Sequence, residues 1–203
     1  MKLIESFHSS YIEERRVTRL SKHLSDLLPT NASVLDIGCG SGQLAKRIHR
    51  DRQDLKFSGI DVLLRKKTWM PVQLFDGHVI PLETNSVDVA MFVDVLHHTN
   101  DPMSLLCEAT RVARCSVIIK DHLLEGVLAG PTLRMMDHIG NARYGVVSPG
   151  NYWRRQQWDG VFATLRMKPV RWRESLGLYP LVLEQLFGRS LHFVTSLEFD
   201  EAA

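Results

Sequence analysis

The 203-residue sequence has few of the features that mark several large classes of protein. Its three cysteines, Cys39, Cys107 and Cys115, are odd in number and form no Cys-x-x-Cys pair, which argues against a disulfide framework or a structural zinc site. The nine histidines leave a mononuclear site open but form no spaced ligand pattern, so we assign no metal ligand. With 25 basic and 23 acidic residues, the net charge of +2 excludes a polybasic protein.

Long hydrophobic runs are also missing. The longest, residues 87–96, is interrupted by Asp88 and Asp94 and falls short of the roughly 20 apolar residues that a membrane span needs. Glu5 follows Met1 too soon for a signal peptide. We therefore expect a cytoplasmic protein with no membrane span.

Short apolar runs alternate with helical patterns along the chain, which is typical of βαβ units. Asp101 followed by Pro102 predicts the start of one helix. We predict a single α/β domain over 1–203, with an N-terminal helical segment (1–29), a cofactor-binding core (30–122), and a substrate cover with the sheet edge (123–203). The predicted strands are 34–37, 57–60, 72–75, 87–95, 117–119, 170–173 and 192–199; the predicted helices are 11–28, 43–50, 103–112, 127–139 and 154–165.

A glycine loop follows the first predicted strand, in the stretch Val34–Gly42. In the dinucleotide fingerprint G-x-G-x-x-G the third glycine would come one residue later than Gly42 does. Asp36 also precedes the loop, and a carboxylate is a poor neighbour for a pyrophosphate but a good one for a cation. These residues favour S-adenosylmethionine, which carries a sulfonium and an ammonium group, over NAD.

Acidic residues stand near the ends of four successive predicted strands: Asp36, Asp61, Asp76 and Asp94. An acidic residue about 20 positions after a glycine loop, as Asp61 is, hydrogen-bonds ribose hydroxyls in α/β folds. Asp and Gly are common in turns for local reasons, which could explain one such residue. Four in succession favour a binding site at the carboxyl ends of the strands.

Together these motifs resemble a class I S-adenosylmethionine-dependent methyltransferase of the broad small-molecule type. The matching stretches are 34–42, 59–62, 75–77, 81–89, 95–98 and 108–112. The resemblance implies S-adenosylmethionine as cofactor and a Rossmann-like, doubly wound, mostly parallel seven-stranded sheet with an antiparallel last strand and a helical cover. The chain departs from the family at residues 113–116, where Ala-Arg-Cys-Ser replaces the usual glycine-rich turn.

The resemblance also implies roles for individual residues of the cofactor site. Asp36, Gly38 and Gly40 would line the methionine end, Asp61 would hold the ribose, and Asp94 would lie near the sulfonium. Asp76 and Gly77 would contact the adenine. Cys39 and Val62, next to these residues, complete the predicted cofactor site.

Two histidines are the candidate bases for removing a proton from the methyl acceptor. His122 is the first choice and His97 the second, although either could have a purely structural role in the pocket wall. We expect the substrate to be bound by polar and aromatic residues near the turns of the cover. The alternative is that these residues only cap helices or pack the lid. These candidates are Asp137, Asn141, Tyr144, Tyr152 and Trp153.

The functional prediction is methyl transfer to a small-molecule acceptor, with O- or C-methylation slightly favoured over N-methylation. The fourth strand ends in Asp94-Val95-Leu96-His97 and lacks the Asn-Pro-Pro-Tyr type of motif. A non-catalytic cofactor-binding partner protein on the same fold is the alternative. A basic and aromatic strip over 143–173 leaves an RNA methyltransferase as a weaker one, since a solvated face explains it better. The oligomeric state is left open.

Overall fold

The computed structural model describes residues 2–141, 149–188 and 190–200. The helices are α1 (Lys2–Ser25), α2 (Gln43–Asp51), α3 (Pro102–Val112), α4 (Ala129–Asn141), α5 (Arg155–Thr164) and the short α6 (Leu181–Leu183). A 3₁₀ turn covers Leu96–His98 and a π-helical turn covers Glu184–Gly188. Helix α1 begins nine residues earlier than the apolar periodicity predicts. In the part of the chain described, no helix is long and apolar enough to cross a membrane.

Seven strands form one sheet in the order β3-β2-β1-β4-β5-β7-β6. Strands β1 to β5 are parallel, whereas β7 runs antiparallel to both β5 and β6. The predicted doubly wound sheet with an antiparallel last strand is confirmed. The strands are β1 (Ser33–Ile37), β2 (Lys56–Asp61), β3 (Val72–Leu74), β4 (Val87–Val93), β5 (Ala113–His122), β6 (Met167–Arg173) and β7 (His192–Phe199).

The central strands are buried on both faces because helices cover each side of the sheet. Successive side chains of a strand point to opposite faces. Leu35 of β1 therefore packs in the core beneath α3 and α5, while Val34 packs in the second core beneath α1 and α2. Phe92 and Met91 of β4 divide between the two cores in the same way. This two-sided burial explains the continuous apolar runs of the sequence.

Helix α3 leads straight into β5 without an intervening loop. Asp101 accepts a hydrogen bond from Ser104 N at 3.0 Å and Pro102 is the first helical residue, as predicted. Ala113 both caps the helix and begins the strand. Residues 113–116, where the family's glycine-rich turn is missing, thus belong to a strand that continues to His122. The prediction of a strand limited to 117–119 is wrong, because α3 needs no turn before it.

Candidate active site at the carboxyl ends of the central strands

The glycine loop after β1 depends on backbone conformations that side chains disfavour. Gly38, Gly40 and Gly42 all have positive φ, at 72°, 57° and 74°. A Cβ on Gly38 would lie 2.6 Å from Val95 Cγ2, so a side chain there would collide with the end of β4. A Cβ on Gly40 would meet nothing within 4 Å. The loop therefore leaves open space above Gly40.

Asp61, the last residue of β2, fastens this loop to the sheet. Its Oδ2 accepts a hydrogen bond from Gly40 N at 2.7 Å and its Oδ1 accepts one from Leu63 N at 2.8 Å. The side chain is buried. A carboxylate has about four lone-pair positions, so each oxygen keeps one for a further donor. The geometry suits a ligand that offers two hydroxyl groups.

Asp36 lies beside Asp61 at the foot of the loop. Burial raises the pKa of Asp36 to about 7, and the nearby carboxylate of Asp61 raises it further. Two neighbouring carboxyl groups with restricted access to water favour a positively charged ligand. The sulfonium and ammonium of S-adenosylmethionine meet this requirement, so the residues present fit that cofactor.

Residues after β3 form a turn next to the end of β2. Asp76 is exposed, and its Oδ1 accepts hydrogen bonds from His78 N at 2.7 Å and Val79 N at 2.8 Å, which lower its pKa. Gly77 has a φ of 83°, and a Cβ there would lie 3.3 Å from Val62 Cγ1. The fold thus brings Val62 and Gly77 together, while the Asp76 carboxylate stabilises its own turn.

Cys39 fills the space beneath the loop. A Cβ on Gly59 of β2 would lie 2.4 Å from its Sγ, so the thiol packs directly on that strand. Burial raises the pKa of the Cys39 thiol to about 12, with Asp36 and Asp61 adding to the effect. Cys39 is therefore a neutral packing residue in this structure.

Asp94 lies immediately after β4, between the glycine loop and a second group of polar residues. Its φ of 56° is in the left-handed region that Asp tolerates better than most residues. Its carboxylate pairs with the fully buried Lys120 and lies 3.4 Å from Arg16 Nη2. Burial opposes ionisation, but Lys120, His122 and Arg16 outweigh it and lower the pKa of Asp94. Asp94 is therefore a carboxylate at neutral pH.

A cavity of about 420 Å³ opens next to Asp94. Helices α1 and α4, the segment Tyr179–Phe187 and the ends of β4 and β5 enclose it. Its polar lining residues are Arg16, Asp94, His97, His98, His122, Asp137 and Tyr179.

His97 is held at the wall of this cavity by Asp121. His97 Nδ1 lies 2.5 Å from Asp121 Oδ1, and both side chains are almost fully buried. Asp121 also accepts hydrogen bonds from Leu96 N at 3.0 Å and from His122 N at 2.7 Å, so its position is fixed. Because a carboxylate only accepts, Nδ1 must carry the proton of this bond. His97 Nε2 is consequently the ring nitrogen left for a second interaction.

Asp137 of α4 faces His97 from the other side. Its Oδ1 lies 3.5 Å from His97 Nε2, and it accepts a hydrogen bond from the Tyr152 hydroxyl. Burial lowers the pKa of His97, but Asp121 and Asp137 outweigh burial and raise it to about 10. His97 thus lies between two carboxylates that favour its positively charged form.

His122 has a different environment although it is the neighbour of His97. Its Nδ1 lies 3.3 Å from His97 Nδ1 and 3.4 Å from Asp121 Oδ1. Burial and the positive charges of His97 and Lys120 lower the pKa of His122 to about 4, so it is neutral at physiological pH. His192 of β7 packs on it at 4.8 Å between ring centroids. The two candidate bases therefore differ sharply in charge.

Comparison with known proteins assigns a family to the segment that includes the glycine loop. Residues 35–117 match the family model described as a methyltransferase domain. Residues 35–117 are therefore a methyltransferase domain of the class I S-adenosylmethionine-dependent type. This confirms the predicted family, the predicted enzyme class and S-adenosylmethionine as cofactor.

Two curated relatives and one solved structure illustrate what this chain is similar to. An uncharacterized 37.1 kDa protein in transposon Tn4556 of Streptomyces fradiae is 37% identical over 93 residues, covering 40% of this chain and 27% of that protein. The 27-O-demethylrifamycin SV methyltransferase of Amycolatopsis mediterranei is 28% identical over 173 residues, covering 73% and 63%. The chain thus spans less than two thirds of each. An S-adenosylmethionine-dependent methyltransferase from Mesorhizobium loti superposes with a TM-score of 0.65 at 15% identity, over 87% of this chain and 96% of that one.

In the cover of the methyltransferase, the predicted substrate residues have different environments. Asp137 and Tyr152 meet beside His97 at the cavity. Trp153 instead packs against the core, with its ring 4.8 Å from that of Trp158. Asn141 is the last residue of α4, and Tyr144 lies outside the described residues.

The sequence assigned no role to several residues that the methyltransferase fold brings to this cavity. Asp121 orients His97, Arg16 lies beside Asp94, and Tyr179 and His192 complete the surroundings. They come from β5, α1, the segment before α6 and β7. Only the polar triplet Lys-Asp-His at the end of β5, unusual in a buried strand, was a local signal for any of them.

Proposed function

We propose that this methyltransferase transfers a methyl group from S-adenosylmethionine to a hydroxyl oxygen of a small molecule bound in the cavity beside Asp94. One observation carries the choice of oxygen: His97 lines the cavity, with its Nδ1 held 2.5 Å from buried Asp121 and its Nε2 turned toward Asp137, which also lines the cavity. A histidine oriented in this way is suited to accept a hydroxyl proton. An amine acceptor would have less need of such a group.

The residues divide the work between two halves of the site. S-adenosylmethionine, when bound, supplies an electrophilic methyl group. Asp61 would hold its ribose and Asp36 would lie near its positive charge. The acceptor hydroxyl would lie next to His97 Nε2, on the side of the ring where Asp137 lies. His97, in its neutral form, would accept the hydroxyl proton at Nε2 while the oxygen takes the methyl group.

The neighbours of His97 also bear on the kind of hydroxyl. Asp121 and Asp137 raise the pKa of His97 to about 10, close to the value of about 10 of a phenol such as tyrosine. Transfer of a proton from such a hydroxyl to the neutral form of His97 has little cost, and because His97 is mostly protonated at pH 7 the rate of methyl transfer should rise with pH toward 10. Phenolic and enolic hydroxyls are therefore the acceptors that we propose first.

His97 replaces His122 as the first candidate base in this proposal. Its low pKa of about 4 makes His122 a weak base. Its Nδ1 also already faces two other side chains, those of His97 and Asp121. We propose that His122 supports the position of His97. Its role as a base stays a prediction that mutation can test.

An acceptor screen with labelled S-adenosylmethionine tests the proposal. The panel pairs phenols and enols with the matching amines and carbon acids, and includes 27-O-demethylrifamycin SV because a relative is named for methylating it. We expect label on oxygen. Label confined to nitrogen or carbon would overturn the choice of acceptor, and cofactor binding without transfer to any acceptor would favour the non-catalytic alternative.

A cytoplasmic location and a single domain over 1–203 are still inferred from the sequence. The basic strip provides no separate support for RNA: Arg155 stacks over Trp172 at 3.7 Å from the ring centroid and pairs with Asp159. We therefore propose a small molecule rather than RNA as acceptor.

A further inference from the structure

Three potential metal ligands converge on the cavity from two distant parts of the chain. His97 and His98 lie on the 3₁₀ turn after β4, and Asp137 lies on α4. One ring nitrogen of each histidine and one carboxylate oxygen all fall within 4.8 Å of one another. Two histidines and one carboxylate form a ligand set typical of divalent transition metals.

The distance between two of these atoms matches that expected across a metal ion. His97 Nε2 and Asp137 Oδ1 are 3.5 Å apart. Two ligands at about 2.0–2.1 Å from a tetrahedral ion are roughly 3.3 Å from each other. Within the described residues His97 Nε2 has no hydrogen-bond partner, and the residue is only 2% exposed. A small movement of Asp137 would let His97 Nε2 and Asp137 Oδ1 bind the same ion.

His98 contributes a second nitrogen without a partner. Its Nδ1 is buried and has no hydrogen-bond partner in the part of the chain that the structure describes, and its ring lies 4.0 Å from that of His97 between centroids. Both histidines therefore bring a buried ring nitrogen to the same wall of the cavity.

The groups behind the three ligands are those that usually orient a metal site. A ligating histidine commonly donates its second N–H to a carboxylate, and Asp121 accepts from His97 Nδ1. Ligating carboxylates are themselves hydrogen-bonded, and the Tyr152 hydroxyl donates to Asp137. The second cluster of possible ligands, which joins His97 to Asp121 and His122, is fully buried and uses Asp121 as the orienting group instead.

We propose that His97, His98 and Asp137 bind a divalent transition-metal ion such as Zn²⁺ or Co²⁺ at the wall of the cavity. Three protein ligands leave one tetrahedral position, which faces the cavity and is available to water or to an oxygen atom of a bound molecule. Neither the methyltransferase fold nor the cofactor half of the site requires this ion.

Titration of the tag-free chain with Co²⁺ tests the site, with the visible absorption of the bound ion as readout and displacement by Zn²⁺ as confirmation. We expect one ion per chain. Replacing a ligand in His98→Ala or Asp137→Ala should weaken Co²⁺ binding at least tenfold. Tyr152→Phe, which removes only the orienting hydroxyl, should weaken it by about 10–100-fold.

The matched control is His138→Ala, which removes an exposed histidine adjacent to Asp137 on the same helix. Its Co²⁺ affinity should equal that of the wild type. Equal affinity in His98→Ala and Asp137→Ala, with S-adenosylmethionine binding intact as proof of folding, would overturn the site. Absence of Co²⁺ binding by the folded wild type would overturn it as well.

Binding would displace the proton from His97 Nε2, so the ion would take the same nitrogen that the proposed function uses. Resting on that function, we expect Zn²⁺ to inhibit methyl transfer and a chelator to restore it. If Zn²⁺ binds through these ligands without slowing transfer, His97 is not the proton acceptor but the metal site stands. If transfer depends on His97 and no ion binds, the function stands and the metal site fails.

Discussion

The two halves of the site are built by different means. The cofactor half consists of turns in which carboxylates accept hydrogen bonds from backbone N–H groups of nearby segments, as Asp61 does from Gly40 and Leu63 and Asp76 does from His78 and Val79. The acceptor half consists of side chains that contact other side chains, as His97 contacts Asp121. Backbone donors are present in every sequence, so the first kind of site can be shared across a family. The second kind depends on each individual side chain.

The largest effect should come from the acceptor half. We expect His97→Ala to lower the rate of methyl transfer by about 10²–10⁴-fold, the usual contribution of a general base. Affinity for S-adenosylmethionine, measured by calorimetry, should stay unchanged.

His122→Ala is the paired variant for this prediction. Because His122 is neutral and supports the position of His97, we expect a smaller loss of turnover. A larger loss in His122→Ala than in His97→Ala would restore His122 as the base.

Asp61→Ala should produce the next largest effect, this time on the cofactor half. Loss of hydrogen bonds to a carboxylate should weaken S-adenosylmethionine binding by about 1.5–3 kcal/mol, as calorimetry would measure. Asp76→Ala is the comparison, since the Asp76 carboxylate is exposed and bonded to its own turn. Equal losses in the two variants would mean that Asp61 has no special role toward the ribose.

Asp36 should show how much folding free energy is lost when two buried carboxylates, Asp36 and Asp61, are ionised side by side. Its raised pKa means that the folded state disfavours the ionised carboxylate of Asp36. The folded protein should therefore lose stability as pH rises from about 4, where Asp36 ionises in the unfolded chain, to about 7, where it ionises in the folded one. Asp36→Asn should therefore raise the Tm at pH 8 by about 2–4 °C, the shift for roughly 1 kcal/mol in a chain of this size. The gain should vanish below pH 4.

Cofactor affinity separates stability from function for the same variant. Asp36→Asn should bind S-adenosylmethionine more weakly at pH 8, because it lacks the negative charge near the cation. A variant that is both less stable and equally good at binding would contradict our interpretation of Asp36.

The smallest effect should come from outside both halves. Arg155→Ala removes a stacking contact with Trp172 and a partly exposed ion pair with Asp159, which together are worth about 1 kcal/mol or less. We expect a Tm change of a few degrees at most, and unchanged kinetics. A loss of turnover would show that the basic strip takes part in binding the acceptor.

The same contrast explains how much the sequence could predict. Strand and helix positions, the Asp101 cap and the acidic residues near strand ends depend on residues close together in the sequence, and the sheet topology came from the family resemblance. The partners of His97 depend on tertiary structure: Asp121 comes from β5 and Asp137 from α4. Their convergence, and with it the proposed metal ligands, had no local signature. Strand β5 was predicted too short because Lys120, Asp121 and His122 are polar although buried.

The position of β7 has a consequence for how the chain reaches this state during synthesis. Strand β7 follows β6 in the sequence but lies between β5 and β6 in the sheet. While a ribosome is still adding residues before 192, the edge of β5 has no neighbour on that side, and β6 has none at all. Strand β7 therefore pairs with β5 and β6 only after it emerges, and only then does His192 pack against His122. Until then the nascent protein exposes an unpaired strand edge, so chaperone binding should be strongest just before β7 leaves the ribosome.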